Sequence, residues 1–225
     1  MQNIDNQLSD SVAVKKKQDR HRALRPFDDS KLPPPQHSLP ENLHGSSFFL
    51  EIGAGNARHA VDWAQNNKKE LLVAIERTKA KSTKAGRRID QAREEIPNLI
   101  YVRDDAVNWV THNLHQACLK GVFILYPNPY PKECQRNKRF HFMPFMRLLS
   151  DRMLPDAQLT LATNEPSYFL DACQMLPRHF DLVLNKQKVL DPRLPPRTNF
   201  EEVFFERNIL CYEAVFRKLA DSAPN

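Results

Sequence analysis

Ser47-Phe48-Phe49-Leu50-Glu51-Ile52-Gly53-Ala54-Gly55-Asn56 is the stretch on which the fold turns. Residues 47–52 form a short apolar run broken by one acid, as a buried strand does. Two glycines follow at once. Residues 56–67 (NARHAVDWAQNN) then place Ala57, Ala60, Val61 and Ala64 on one side of a helix. Strand, glycine bend and amphipathic helix make the first half of a strand–helix–strand unit. The texture then repeats. A strand over 71–75 ends in Glu76, and a polar helix over 79–96 closes at Pro97-Asn98. A strand over 99–102 runs into Asp104-Asp105, a helix covers 106–119, and a strand over 122–126 stops at Pro127.

Further on, Phe142, Phe145, Met146 and Leu149 share one helical face, which predicts a helix over 140–154. A fifth strand falls at 159–162, and Pro166 sits in the first turn of a helix over 166–176. Two late strands, 180–185 and 209–216, have no helix-length segment of clear period between them. The whole predicts an α/β, Rossmann-like fold: a mostly parallel seven-stranded sheet with helices on both faces. A hairpin of the late pair would put one antiparallel strand in the sheet.

Composition bounds the rest. The chain has 225 residues, 41% of them apolar, enough for one full core and too apolar for general disorder. The expected organisation is a polar basic arm over residues 1–45, one domain over 46–219 and a tail over 220–225. The arm holds Lys15, Lys16, Lys17, Arg20, His21, Arg22 and Arg25, then Pro33-Pro34-Pro35. It reads as a solvated tail or as a contact to a phosphate backbone. No secretory leader or membrane span is visible, so no membrane partner is expected. Four cysteines, at 118, 134, 173 and 211, form no C-x-x-C pair, which argues against a disulfide framework or a zinc ribbon. A reducing, cytoplasmic setting and no metal are the expectation. The formal charge of +6 permits a polyanionic partner without requiring one.

In an open α/β sheet, ligands bind beyond the carboxyl ends of the strands. Gly53 and Gly55 let the backbone turn tightly and approach a ligand. Glu76, at the end of the next strand, can accept two ribose hydroxyls. Together they suggest an adenosine cofactor, although generic glycine turns also occur in α/β proteins. Arg58 stands where a dinucleotide fingerprint has its third glycine. Glu51, just before the bend, would repel a pyrophosphate and attract the amino group and sulfonium of S-adenosylmethionine. Asp105 suits both a helix N-cap and an adenine amine.

The loop Tyr126-Pro127-Asn128-Pro129-Tyr130-Pro131-Lys132 carries three prolines within five residues, which stiffens it. Lys132, Arg136, Lys138 and Arg139 follow, either as a solvated loop or as a seat for an anionic substrate. This loop resembles the P-D-P-W-P-K loop of the bacterial tRNA (guanine-N7)-methyltransferase family. The E-I-G-x-G-N turn, Asp105-Ala106, Leu161-Ala162-Thr163-Asn164 and Thr198-Asn199-Phe200-Glu201 fall in the family's order, over roughly residues 46–218.

The resemblance implies a class I methyltransferase fold and transfer of a methyl group from S-adenosylmethionine to guanosine N7 in the tRNA variable loop. It places Glu51, Gly53, Gly55, Glu76, Arg77, Asp105 and Ala106 at the cofactor. It gives Asn128 the catalytic loop position. It puts Tyr130, Lys132, Arg136 and Asn164 at the substrate, along with Thr198, Asn199, Phe200 and Glu201. The partner implied is tRNA, bound by a monomer or a homodimer. Asn128 and Asn164 stand where the family has acids, Tyr130 replaces its tryptophan, and residues 202–209 (EVFFERNI) replace a glycine-containing stretch. These departures leave two alternatives: a methyltransferase of the same fold with another substrate, and a non-catalytic RNA-binding relative.

Overall fold

The computed structural model describes residues 25–220. The basic run from Lys15 to Arg22, and residues 221–225 of the expected tail, lie outside the described residues. Among the described residues the strands are β1 (Phe48–Ile52), β2 (Leu72–Ile75), β3 (Leu99–Val102), β4 (Leu119–Leu125), β5 (Met153–Thr163), β6 (Leu182–Val189) and β7 (Tyr212–Lys218). The helices are α1 (Arg58–Asn66), α2 (Lys79–Ala92), α3 (Ala106–Asn113), α4 (Phe145–Asp151), α5 (Pro166–His179) and α6 (Asn199–Glu206).

All seven strands join one sheet in the order β3-β2-β1-β4-β5-β7-β6. The first five run parallel, and β7 lies antiparallel between β5 and β6. The strand order reverses between β1 and β4. Such a switch point opens a crevice at the carboxyl edge of the sheet.

Each strand sends alternate side chains to opposite faces. Leu50, Ile52, Val73 and Ile75 join the larger core with Trp109, Phe145, Phe169 and Phe216. Leu72 and Ala74 face the other way and meet Ala57, Ala60, Val61 and Ala64 of the α1 region. Those small residues let α1 lie close on the sheet. The α/β, Rossmann-like architecture is therefore the one the strand–helix alternation implies.

Four local expectations are corrected. The helix expected over 140–154 is a 3₁₀ turn at Phe140–Phe142 followed by α4. Met143 precedes Pro144 and is extended, with φ −79° and ψ 131°, because a following proline disfavours the helical region. The chain then enters β5 at Met153, well before the expected start. Likewise α3 stops at Asn113 and β4 begins at Leu119. Between the late strands there is a helix, α6, where none was expected, and so β6 and β7 are not joined by a tight hairpin.

The fourth correction concerns residues 25–45, which were expected to belong to an extended arm. Leu39 is buried in the larger core, and its amide donates to Asn113 Oδ1 at 2.6 Å. The ring of Phe27 meets Phe145 edge-on at 6.0 Å. Isolated anchors of this kind leave no periodic trace in a sequence.

Candidate active site

Glu51 lies one residue from the end of β1 and is only 3% exposed. Its Oε2 is 2.9 Å from Nδ1 of His59, which comes from the first turn of α1. Gly53 and Gly55 follow with φ of +80° and +60°, a region costly for residues with a side chain. A Cβ placed on Gly53 would meet nothing within 4 Å, so the bend borders open space. The amides of Gly53 and Ala54 both donate to the Ile75 carbonyl, at 2.8 and 3.0 Å, which ties the bend to β2.

Glu76, buried at the end of β2, closes the arrangement. Its Oε2 accepts from the Gly55 amide at 3.0 Å and its Oε1 from the Thr78 amide at 2.6 Å. Each carboxylate oxygen has two lone pairs, so one acceptor site on each remains. The Tyr101 hydroxyl donates to the Gly55 carbonyl at 3.0 Å. Burial raises that phenol to about 12, so it stays a donor at neutral pH. Asp105 caps α3, with Oδ1 accepting from Val107 and Asn108 at 2.9 and 3.4 Å. Its Oδ2 is 3.4 Å from Arg77, whose side chain is exposed, and Ala106 opens the helix. Glu51, the glycine bend, Glu76, Arg77 and Asp105 thus gather at the carboxyl ends of three neighbouring strands.

Helix α6 reaches across this edge. Its Glu202 pairs with Arg58 of α1 at 2.8 Å, and Lys81 of α2 sits 5.6 Å over the Phe200 ring. Phe200 and Phe204 lie 6.2 and 5.6 Å from the ring of Tyr126, just past β4. Thr198 is the N-cap, and its Oγ1 accepts from the Glu201 amide at 3.0 Å. Glu201, 1% exposed, accepts from the Arg197 amide at 2.7 Å and forks onto the Arg197 guanidinium. Arg197 also pairs with Glu213 of β7. Thr198 and Glu201 therefore fasten the helix, while Asn199 and Phe200 are exposed beside them.

The loop after β4 is held in a strained form. Tyr126 and Tyr130 both precede a proline and both have positive φ, 53° and 43°. Asn128 is exposed, and its Oδ1 accepts from the Tyr130 amide at 3.2 Å, an Asx turn. Lys132 is exposed farther along. Arg136 stacks 4.0 Å over Phe142 and lies 3.7 Å from Glu133. Arg139, grouped by sequence with the phosphate-seeking cations, is instead 7% exposed. It donates to the Tyr130 carbonyl at 3.1 and 3.0 Å and to Asp171 of α5 at 3.2 Å. A buried guanidinium needs such partners, so this cation is a strut of the loop. At the end of β5, Asn164 donates to Glu165 at 3.3 Å.

His59, Tyr101 and Arg197 carry much of this geometry and did not stand out in the sequence, and Arg139 stood out in a different role. Each acts through the fold, from an element distant in the chain or through backbone carbonyls. Among the described residues, no group of three His, Cys, Asp or Glu is placed to hold a metal ion, and no helix is long and apolar enough to cross a membrane.

The sheet order and the acids at its carboxyl edge make this an open α/β fold with a ligand crevice at the switch point. A family model described as "Putative methyltransferase" matches residues 46–214, and the chain belongs to that methyltransferase family. A tRNA (guanine-N(7)-)-methyltransferase of Granulibacter bethesdensis is 29% identical over 159 residues, which is 66% of this chain and 70% of the relative. A bifunctional methyltransferase of Rickettsia felis is 24% identical over 146 residues, covering 64% of this chain but only 27% of its own length. The fold is similar to that of a 16S rRNA (adenine(1408)-N(1))-methyltransferase from Catenulisporales acidiphilia, solved with cosubstrate SAM. That structure superposes with a TM-score of 0.59 at 14% identity, covering 90% of this chain and all of the other.

Proposed function

We propose that this chain methylates N7 of a guanosine in tRNA, in the variable loop, with S-adenosylmethionine as the donor. The observation that carries the reading is that Glu51, the Gly53–Gly55 bend and Glu76 lie together at the carboxyl ends of β1 and β2, with open space beside Gly53 and the Gly55 amide held by Glu76. The residues present suit that donor. Glu51 offers negative charge to an amino group or a sulfonium, Glu76 offers free lone pairs to ribose hydroxyls, and Asp105 offers an acceptor to an exocyclic amine. The relatives named for tRNA guanine-N7 methylation and the proline-rich loop beside a basic segment support the substrate.

When bound, the donor supplies an electrophilic methyl group on a sulfonium. Guanine N7 is an acceptor with a free lone pair and no proton to lose. The chain therefore needs no general base, and its task is alignment and charge compensation. The loop fixed by Arg139 presents Asn128, whose Oδ1 keeps one lone pair beyond its bond to the Tyr130 amide. That lone pair can take the guanine N1–H or N2–H edge. An amide carries no charge there, so the compensation of the cationic purine is weaker than an acid would give. Tyr130 and Phe200 offer ring faces to an unstacked base. Lys132 and Lys138 offer charge to phosphates.

Incubation with labelled donor and unmodified tRNA, followed by nucleoside mass spectrometry, tests the reading. It is expected to show N7-methylguanosine, and folded, donor-bound protein that leaves tRNA unlabelled rejects it. The asparagines at 128 and 164 favour one second reading, a methyltransferase of this fold with another substrate. Label transferred to a non-RNA acceptor in cell extract, with tRNA ignored, would establish that instead.

A further inference from the structure

We propose that residues 33–37, latched by the buried carboxylate of Asp104, form the outer wall of the donor site at its adenosyl end. The inference rests on the donor-site reading above and adds a segment that the sequence placed in the N-terminal arm.

Asp104 follows β3 and is 5% exposed. Its Oδ2 accepts from the Gln36 amide at 2.7 Å and the His37 amide at 3.1 Å, donors 68 and 67 residues away in the chain. Its Oδ1 accepts from the Asp105 amide at 2.8 Å. Three backbone donors on one buried carboxylate compensate a charge that would otherwise be costly to bury. The latch is seconded on both sides. Arg103 donates to Gln36 Oε1 at 3.3 Å, and Asn113 donates to the His37 carbonyl at 3.4 Å while accepting from the Leu39 amide. Leu39 is itself in the core, so the segment cannot drift from the sheet edge without opening that contact.

The latch leaves a cleft of about 280 Å³. Pro33, Pro34 and Gln36 stand along it with Arg77, Asp105 and Asn108. Two of these, Arg77 and Asp105, already belong to the donor set. Adjacent prolines supply rigid apolar surface without amide donors. Asp105 and Asn108 supply polar edges. A planar heterocycle with apolar faces and an exocyclic amine matches this pairing, so the ligand class is an adenosyl group.

Titration calorimetry of the full chain with S-adenosylhomocysteine and with 5′-methylthioadenosine tests the wall, because both ligands carry the adenosyl group. Asp104→Asn removes an acceptor from the latch and is expected to weaken both ligands by about tenfold, by the same factor. A second variant, Pro33→Gly with Pro34→Gly, leaves Asp104 untouched and carries the test if the first fails to fold. It is expected to weaken both by a few-fold or more. Undiminished affinity in the folded proline variant overturns the wall and leaves the donor site standing. A loss confined to S-adenosylhomocysteine also overturns it, since the effect would then lie at the amino-acid end. A wild-type chain that binds neither ligand overturns the donor-site reading and the wall together.

Discussion

Glu76 holds the Gly55 amide after β1 and the Thr78 amide after β2, and Arg139 holds the carbonyl of a strained tyrosine. Single side chains thus set the two halves of the site. Glu76→Ala removes the acceptor for the Gly55 and Thr78 amides and, on the proposed donor site, the lone pairs offered to ribose. Calorimetry is expected to show donor affinity reduced by at least about tenfold. Arg139→Leu takes the guanidinium from Asp171 and the Tyr130 carbonyl in a buried setting. Urea unfolding is expected to show a loss of about 3 kcal/mol, in line with breaking buried ion pairs. Asp105 could be read from sequence as cap or ligand, and the cap is the role its hydrogen bonds show. His59 could not be read, because its partner Glu51 is eight residues earlier on another element.

At the level of elements, α6 shows how a local signal can be present and still be missed. Thr198 and Glu201 have the spacing of a capping box, with the Thr198 cap formed and the Glu201 carboxylate turned to the Arg197 amide, and Phe200, Val203 and Phe204 follow at helical spacing. The run is short and mixed with acids, so its period is faint. Thr198→Ala is expected to lower stability by about 1 kcal/mol and to raise amide exchange across residues 199–206.

Its anchor also predicts an acid limit. Burial by itself would raise Glu213, but Arg197 and Lys188 outweigh it and hold the carboxyl below its usual range. A depressed carboxyl contributes stability above its unfolded pKa of about 4.3, and loses that contribution as pH falls through the folded value. Thermal melts are expected to show the gap between wild type and Glu213→Gln closing below about pH 4. In the sheet, a Cβ on Gly121 of β4 would lie 2.8 Å from the Phe49 ring. Gly121→Ala is expected to cost about 1–3 kcal/mol by calorimetry, through overpacking.

For the whole molecule, the sheet order places the glycine bend, the proline-rich loop and α6 at one edge, with Lys132 and Lys138 exposed beyond it. If tRNA docks there, its affinity is expected to fall steeply between about 50 and 200 mM salt. Lys132→Ala is expected to reduce the slope of log affinity against log salt by about one, while leaving donor binding unchanged. Filter binding across a salt series measures both.

The strand–helix alternation, the glycine bend and the acids at strand ends are legible along the chain alone, because these are properties of neighbouring residues and short periods. Which distant groups meet is set by the folded chain. Leu39 on Asn113, Asp104 on the amides of Gln36 and His37, and Arg139 on Asp171 are pairings across long chain separations. Nothing in the local pattern marks such pairings, since burial and hydrogen-bond geometry arise only once the sheet has assembled.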